Sequence, residues 1–449
     1  MKAGMNVARL NFSHGSREEH AENIAMIREI SERLGAPVAI LQDLAGPKIR
    51  IGTFAEEKVK LEPGADFVLT SRDVPGNESE VSVTYRKLPR EVKEGDTLLL
   101  ADGSVELLIK QVDKDRGDIH CEVVVGGELS ARKGINLPSG SISAPIMTEK
   151  DESDLAFGID QGVDYVALSF VRNVRDVEDA RSTMNKLNGD IPLIAKIEKH
   201  EAISNIDAII SAVDGIMVAR GDLGVEIPLF QVPQVQKMLI HKAADARIPV
   251  ITATQMLRSM VENPRPTRAE VTDVANAILD GSDAVMLSEE TAIGMYPVKA
   301  VEMMARIAAD TDASFPTKPW RERLHRKETL TSTQAVAHAA CQLSFDVNAS
   351  ALVTCTHSGS TARLVSKYRP RKPILAPTPE LSTYRRMALY WGVSPVLIDL
   401  IESREEIASS TYHSMKRKGL LKAGMKVVLT AGVPLNVPGT TNLIRVDVI

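Results

Sequence analysis

Two hydrophobic patterns alternate along the chain. Seven short runs are almost continuously apolar: "NVARLNF" (6–12), "PVAILQDL" (37–44), "DYVALSFV" (164–171), "PLIAKIE" (192–198), "DGIMVARG" (214–221), "PVITATQ" (249–255) and "DAVMLSEE" (283–290). Runs of this length and composition predict strands buried on both faces. Between most of them lie longer segments with apolar residues every three or four positions, which predicts amphipathic helices. "SREEHAENIAMIREISERLG" opens with Ser16 and Glu19 in capping-box spacing and ends on a glycine; "PTRAEVTDVANAILDG" repeats this with Thr267 and Glu270. Strands alternating with helices predict a parallel sheet. A closed (β/α)8 barrel needs eight strands, and seven are found. "MKAGMN" reads as a helix tail stopped by Gly4. The expected fold is therefore an α/β TIM barrel lacking its first strand, placed ahead of Met1, with two unpaired edges left behind.

The pattern changes twice. Between the second and third strands, "KVKLEPGADFVLT", "EVSVTYRKL", "DTLLLADGSVELLIKQV" and "DIHCEVVVGGELSARKGINLP" alternate apolar and polar residues and are broken by Gly, Asp and Pro. That predicts a separate small β-barrel domain. Further on, "FPTKPWRERLHRKETL" is polar and reads as a linker. Beyond it "NASALVTCT" (348–356), "KPILAPT" (372–378) and "KVVLTAG" (426–432) alternate with helical patterns, predicting a doubly wound α/β domain. The expected limits are 1–47 and 146–316 for the barrel, 48–145 for the inserted domain and 317–449 for the C-terminal domain.

Composition narrows the function class. Of 449 residues, 44% are hydrophobic and 25% charged, with Lys+Arg 54 against Asp+Glu 59 and a formal net charge of −5. That balance argues against nucleic-acid or anionic-membrane partners. Aromatic residues at 4% leave little for base stacking. Cys121, Cys341 and Cys355 match no metal or redox spacing, which fits a reducing, cytoplasmic setting. No apolar run reaches the roughly 18 residues of a membrane span, and the first residues lack a signal peptide's apolar core.

Charge then appears where burial makes it costly. In "IPLIAKIEKHEA" (191–202), Lys196 and Glu198 end an otherwise apolar strand and, two apart, point to one face. In a barrel, strand C-terminal ends carry the active site. Asp222 ends the next strand, Thr254 the one after and Ser288 the last. Two carboxylates on adjacent strand ends suffice as protein ligands for Mg2+. A lysine beside them suits charge developing on a phosphoryl group or enolate. Gly221 allows close backbone approach to a ligand, and "DLGVEI" can start a helix whose amides favour an anion. The plainer alternative is a buried Lys–Glu pair that only ties neighbouring strands.

The segments "NVARLNFSHG", "LQDLAGPKIRIG", "AKIE", "GIMVARGDLGVEIP", "TATQML", "PRPTRAEVTDVANAILDG" and "MLSEETAIGMYP" together resemble pyruvate kinase, in order and across the whole chain. The resemblance implies transfer of the phosphoryl group of phosphoenolpyruvate to ADP, giving pyruvate and ATP. It implies Glu198 and Asp222 as ligands of Mg2+ or Mn2+, and Lys196 as the essential cation. Arg9, Gly221, Asp222 and Thr254 become substrate contacts. Arg50, Lys133, His14 and Asn11 become nucleotide-side contacts, and Ser288 a proton-relay hydroxyl. It also implies a homotetramer, with the inserted domain acting as a lid that keeps water out.

Some positions depart from the family. Its potassium site corresponds to Asn11, Ser13, Asp43 and the carbonyl of Leu44, normally followed by an acidic residue where this chain has Lys48. An ammonium there can supply the charge K+ would provide, so catalysis is expected without K+. Glu289 stands where a glycine is common. In the C-terminal domain, "CTHSGSTA" places Ser358, Gly359, Ser360 and Thr361 before a helix, a setting suited to phosphate and similar to the family's site for a phosphorylated sugar or nucleotide effector. Two other readings are a Mg2+-dependent enolate C–C lyase, which would not explain the inserted domain, and a non-catalytic or impaired phosphometabolite-binding paralogue.

Overall fold

The computed structural model describes residues 1–138, 140, 142–325, 330–400, 407–434 and 440–449. All seven expected barrel strands form. In chain order the strands are β1 (Val7–Asn11) and β2 (Ala39–Asp43), then the inserted β3 (Lys58–Leu61), β4 (Asp66–Thr70), β5 (Glu80–Ser82), β6 (Thr97–Leu100), β7 (Val105–Asp113), β8 (Asp118–Val125), β9 (Gly127–Ser130) and β10 (Ile135–Asn136). The barrel resumes with β11 (Tyr165–Leu168), β12 (Leu193–Ile197), β13 (Gly215–Ala219), β14 (Val250–Ala253) and β15 (Ala284–Met286). These make one parallel sheet in the order β1-β2-β11-β12-β13-β14-β15. Among the described residues β1 and β15 remain its two edges.

Local chemistry explains why the elements start and stop where they do. Ser16 and Thr267 each accept from the backbone three residues on while Glu19 and Glu270 reach back, closing both capping boxes. Gly35 and Gly281 end these helices in the left-handed conformation. Strands β2, β11, β13 and β14 are buried throughout, because helices cover the outer face of the sheet and apolar side chains fill its inside.

The inserted unit has a six-stranded sheet, β10-β6-β7-β8-β4-β5, and the pair β3-β9. Its apolar core is drawn from Ile49 to Leu137 alone. The C-terminal domain adds β16 (Ala351–Thr354), β17 (Ile374–Thr378), β18 (Val393–Leu397), β19 (Lys426–Gly432) and β20 (Thr441–Val448), ordered β18-β17-β16-β19-β20 with β20 antiparallel.

The linker expectation needs correction. Thr317–His325 is a helix, and Trp320 and Leu324, four apart and therefore on one face, are buried against the C-terminal domain's core. A second attachment lies beneath the barrel, where Leu389 joins Leu41, Tyr165, Ile194, Met217 and Ile251 in the apolar interior of the parallel sheet.

Candidate active site

Lys196 is the last residue but one of β12 and Glu198 follows it by two, just past the strand's C-terminal end. The Lys196 ammonium lies 3.0 Å from Glu198 Oε1 and 3.2 Å from Asp43 Oδ1, and donates to Ser169 Oγ at 2.7 Å. Ser169 in turn donates to the Leu44 carbonyl at 2.7 Å. Arg9 Nε donates to the other Asp43 oxygen at 2.7 Å. Four neighbouring strands thus contribute one continuous network, made possible because β1 and β2 pair Asn11 with Asp43 and Arg9 with Leu41.

Burial works against the Lys196 charge, yet the carboxylates of Asp43 and Glu198 outweigh it and hold the ammonium well above its ordinary pKa. This lysine stays protonated. The Glu198 carboxyl is pushed up by burial; the nearby Lys196 opposes that, while Asp222 adds to it. The Phe170 amide donates to Glu198 Oε2 at 2.8 Å, from a residue at φ +59. Two acids close enough to disfavour each other's charge, one of them 1% exposed, fit a divalent cation held between them.

Asp222 sits in the first turn of the short helix Arg220–Glu226 that follows β13. Lys48 Nζ lies 3.4 Å from its Oδ1, so the lysine singled out by its departure from the family reaches the site. The Gly221 amide donates to Thr254 Oγ1 at 2.8 Å, and that hydroxyl donates to the Ala253 carbonyl at 2.6 Å. A Cβ on Gly221 would meet Thr254 at 3.6 Å, an ordinary contact, so the protein's own packing does not demand glycine there. Thr254 itself has φ +72, a costly conformation for a β-branched residue. Arg220 maintains it, with Nη2 donating to the Thr254 carbonyl at 2.7 Å and Nε to the Ala253 carbonyl at 3.3 Å, while Asp273 grips the guanidinium at 2.6 and 2.7 Å. Ser288 follows the edge strand β15; its amide donates to Glu290, which also receives the Leu257 amide.

Arg9, Asp43, Lys196, Glu198, Gly221, Asp222 and Thr254 therefore form one connected region. Asn11, Ser13 and Leu44 surround the end of the β1–β2 pair, with Asn11 Oδ1 accepting from the Ser13 amide. Both Asp43 oxygens there are already taken by Arg9 and Lys196. Arg50 and Lys133 lie together in the inserted unit, where the Ile51 amide donates to the Lys133 carbonyl and Arg50 bridges to Gly134. His14 is exposed on the loop after β1, and no hydrogen bond or ion pair among the described residues joins it to Arg50 or Lys133. In the C-terminal domain Ser358 and Ser360 are hydrogen-bonded at the start of the helix Ser360–Lys367, and the Gly359 amide donates to Thr356. The Thr361 hydroxyl is buried against Thr441 and presents nothing outward. Sequence reasoning missed Ser169, Phe170, Arg220 and Glu290.

The pyruvate kinase barrel-domain family matches residues 1–301, and the pyruvate kinase alpha/beta-domain family matches residues 334–447. Pyruvate kinase 2 of Synechocystis sp. is 48% identical over 451 aligned positions, covering all of this chain and 76% of that protein. The pyruvate kinase of Clostridium acetobutylicum is 44% identical, with 95% of its length covered, and that of Geobacillus stearothermophilus 46%, with 77% covered.

Proposed function

The chain belongs to the pyruvate kinase family, and from that premise we propose that it transfers the phosphoryl group of phosphoenolpyruvate to ADP, giving pyruvate and ATP. The observation that carries this reading is the convergence of Lys196, Glu198 and Asp222 at the barrel mouth. Phosphoryl transfer needs positioning and positive charge more than a nucleophile, and the site offers that. Lys196 is the permanently charged group for the transferring phosphoryl and the enolate oxygen left behind. Arg9 spends Nε on Asp43, which leaves its terminal nitrogens for phosphate. The Thr254 hydroxyl, turned from the Ala253 carbonyl towards the substrate, would orient the substrate's carboxylate beside the backbone of Gly221 and Asp222, and Ser288, which follows the edge strand β15, would relay a proton.

Glu198 and Asp222 are the residues that would hold Mg2+ or Mn2+, which supplies neutralisation of phosphate charge when bound. Arg50 and Lys133 would meet the nucleotide, together with His14 and Asn11. Lys48 beside Asp222 supports catalysis without K+ at Asn11, Ser13, Asp43 and Leu44. No helix among the described residues is long and apolar enough to cross a membrane. A cytoplasmic homotetramer, with a phosphorylated effector met by Ser358, Gly359 and Ser360 and not by the buried Thr361 hydroxyl, completes the proposal.

The test of the central role is Lys196→Met. Turnover should fall by roughly a thousandfold or more, with phosphoenolpyruvate binding retained, because the lost interaction belongs to the transition state. Turnover near that of the unmodified protein would refute the assignment.

A further inference from the structure

Glu226 ends the short helix that carries Asp222. The two acids are four apart, so they lie on one side of the helix. Both meet the inserted unit. Lys48 reaches Asp222, and Asn136 Nδ2, on β10, donates to Glu226 Oε1 at 3.0 Å. The other partners of Glu226 come from the segment leaving β12, with Lys199 Nζ at 2.6 Å and His200 Nδ1 at 3.2 Å. One carboxylate thus joins the inserted unit, the helix of Asp222 and the segment just beyond Lys196 and Glu198.

Asn136 is 5% exposed and Glu226 3%. A buried amide is costly without a partner, and the partner recorded for this one lies across the domain boundary. The inserted unit has its own apolar core, so it can move as a body without unfolding. Opening it would return both groups to water, which satisfies them again, so the bond can be made and released. Glu226 does not lose its counter-charge on opening, since Lys199 remains on the barrel side.

Resting on the proposed phosphoryl transfer, we infer that the Asn136–Glu226 hydrogen bond is a latch: Glu226 is a positioning residue that holds the lid closed over the barrel mouth while the phosphoryl group moves. A lid that opens too readily admits water, which takes the phosphoryl group from phosphoenolpyruvate to give pyruvate and inorganic phosphate instead of ATP.

The experiment uses the full chain with Asn136→Asp, which sets a second carboxylate against Glu226. Two quantities are read with phosphoenolpyruvate, ADP and Mg2+ present: pyruvate formed per ATP, and amide exchange in residues 97–100 and 135–137. A hydrogen bond to a charged group shifts a two-state equilibrium roughly tenfold or more, so pyruvate released without ATP should rise by about that factor and exchange should quicken. The double variant Asn136→Asp, Glu226→Gln lets the new amide donate to the new carboxylate, and should bring both readings back. If Asn136→Asp does not fold, Asn136→Leu removes the donor without adding charge and should move both readings the same way. Pyruvate released without ATP and amide exchange both within about twofold of the unmodified protein, or a double variant no better than the single, overturn the latch. A protein that forms no pyruvate but whose exchange responds as described overturns the proposed function and leaves the latch standing.

Discussion

Lys48 is polar, partly exposed and five residues past the end of β2, yet its ammonium lies 3.4 Å from Asp222. Its charge thus falls beside a carboxylate proposed to hold the metal, where it can supply positive charge to the site in place of a monovalent cation. Replacing potassium by tetramethylammonium should leave the rate within a few-fold, and Lys48→Glu should make it respond to added K+. A loss of a hundredfold or more in the unmodified protein on removing K+ would contradict this. At this scale legibility followed the cost of burial. Lys196 and Glu198 stood out because charge interrupted an apolar strand. Ser169 and Phe170 did not, because "LSF" continues an apolar run and the role of Phe170 rests on a backbone amide turned by φ +59.

Among the elements, the short helix Arg220–Glu226 brings three roles together: its first residue holds the loop after β14, its third is one of the two acids proposed to hold the metal and its last meets the inserted unit. Arg220 was invisible beforehand, since "VARGD" says nothing of two carbonyls contributed by another strand. Its planar fork is what lets it hold both carbonyls and Asp273 together, and lysine cannot reproduce that. Arg220→Lys should lower kcat/KM for phosphoenolpyruvate by roughly tenfold or more through misplacement of the Thr254 hydroxyl. In a double-mutant cycle, adding Thr254→Ala to Arg220→Lys should then cost much less than Thr254→Ala alone. Full additivity of the two losses would show that Arg220 does not act through Thr254. Elements with strong local signals were readable, as both capping boxes show. β18 escaped because this five-residue edge strand is mostly half-exposed and contains a proline, and the helix Thr317–His325 escaped because its two buried residues are scattered among charges.

At the scale of the molecule, the C-terminal domain is fastened to the barrel by buried polar bonds as well as apolar packing. Lys367, 4% exposed, pairs with Asp283 just ahead of β15. Arg369 donates to the Ser282 carbonyl and lies over the rings of Phe315 and Trp391 at 4.4 and 4.8 Å. Such buried pairs cost several kcal/mol when one partner is lost, on the order of 3–5 kcal/mol, so they fix geometry more than they add stability. The parallel sheet ends at β1 and β15, but Lys196, Glu198, Asp222 and Thr254 project from its interior strands or the turns that follow them, where pairing on both sides fixes the backbone. Arg9, Asn11, Ser13 and Ser288 depend on edge strands. This organisation was legible as an alternation of strands and helices, whereas the fastening contacts, which join residues tens to hundreds of positions apart, were not. The most direct check of the whole account is to follow pyruvate and ATP together from phosphoenolpyruvate, ADP and Mg2+. Equal amounts of both, formed at a rate abolished by chelating the metal, are the expected result; ATP formation no faster than with Lys196→Met would contradict it.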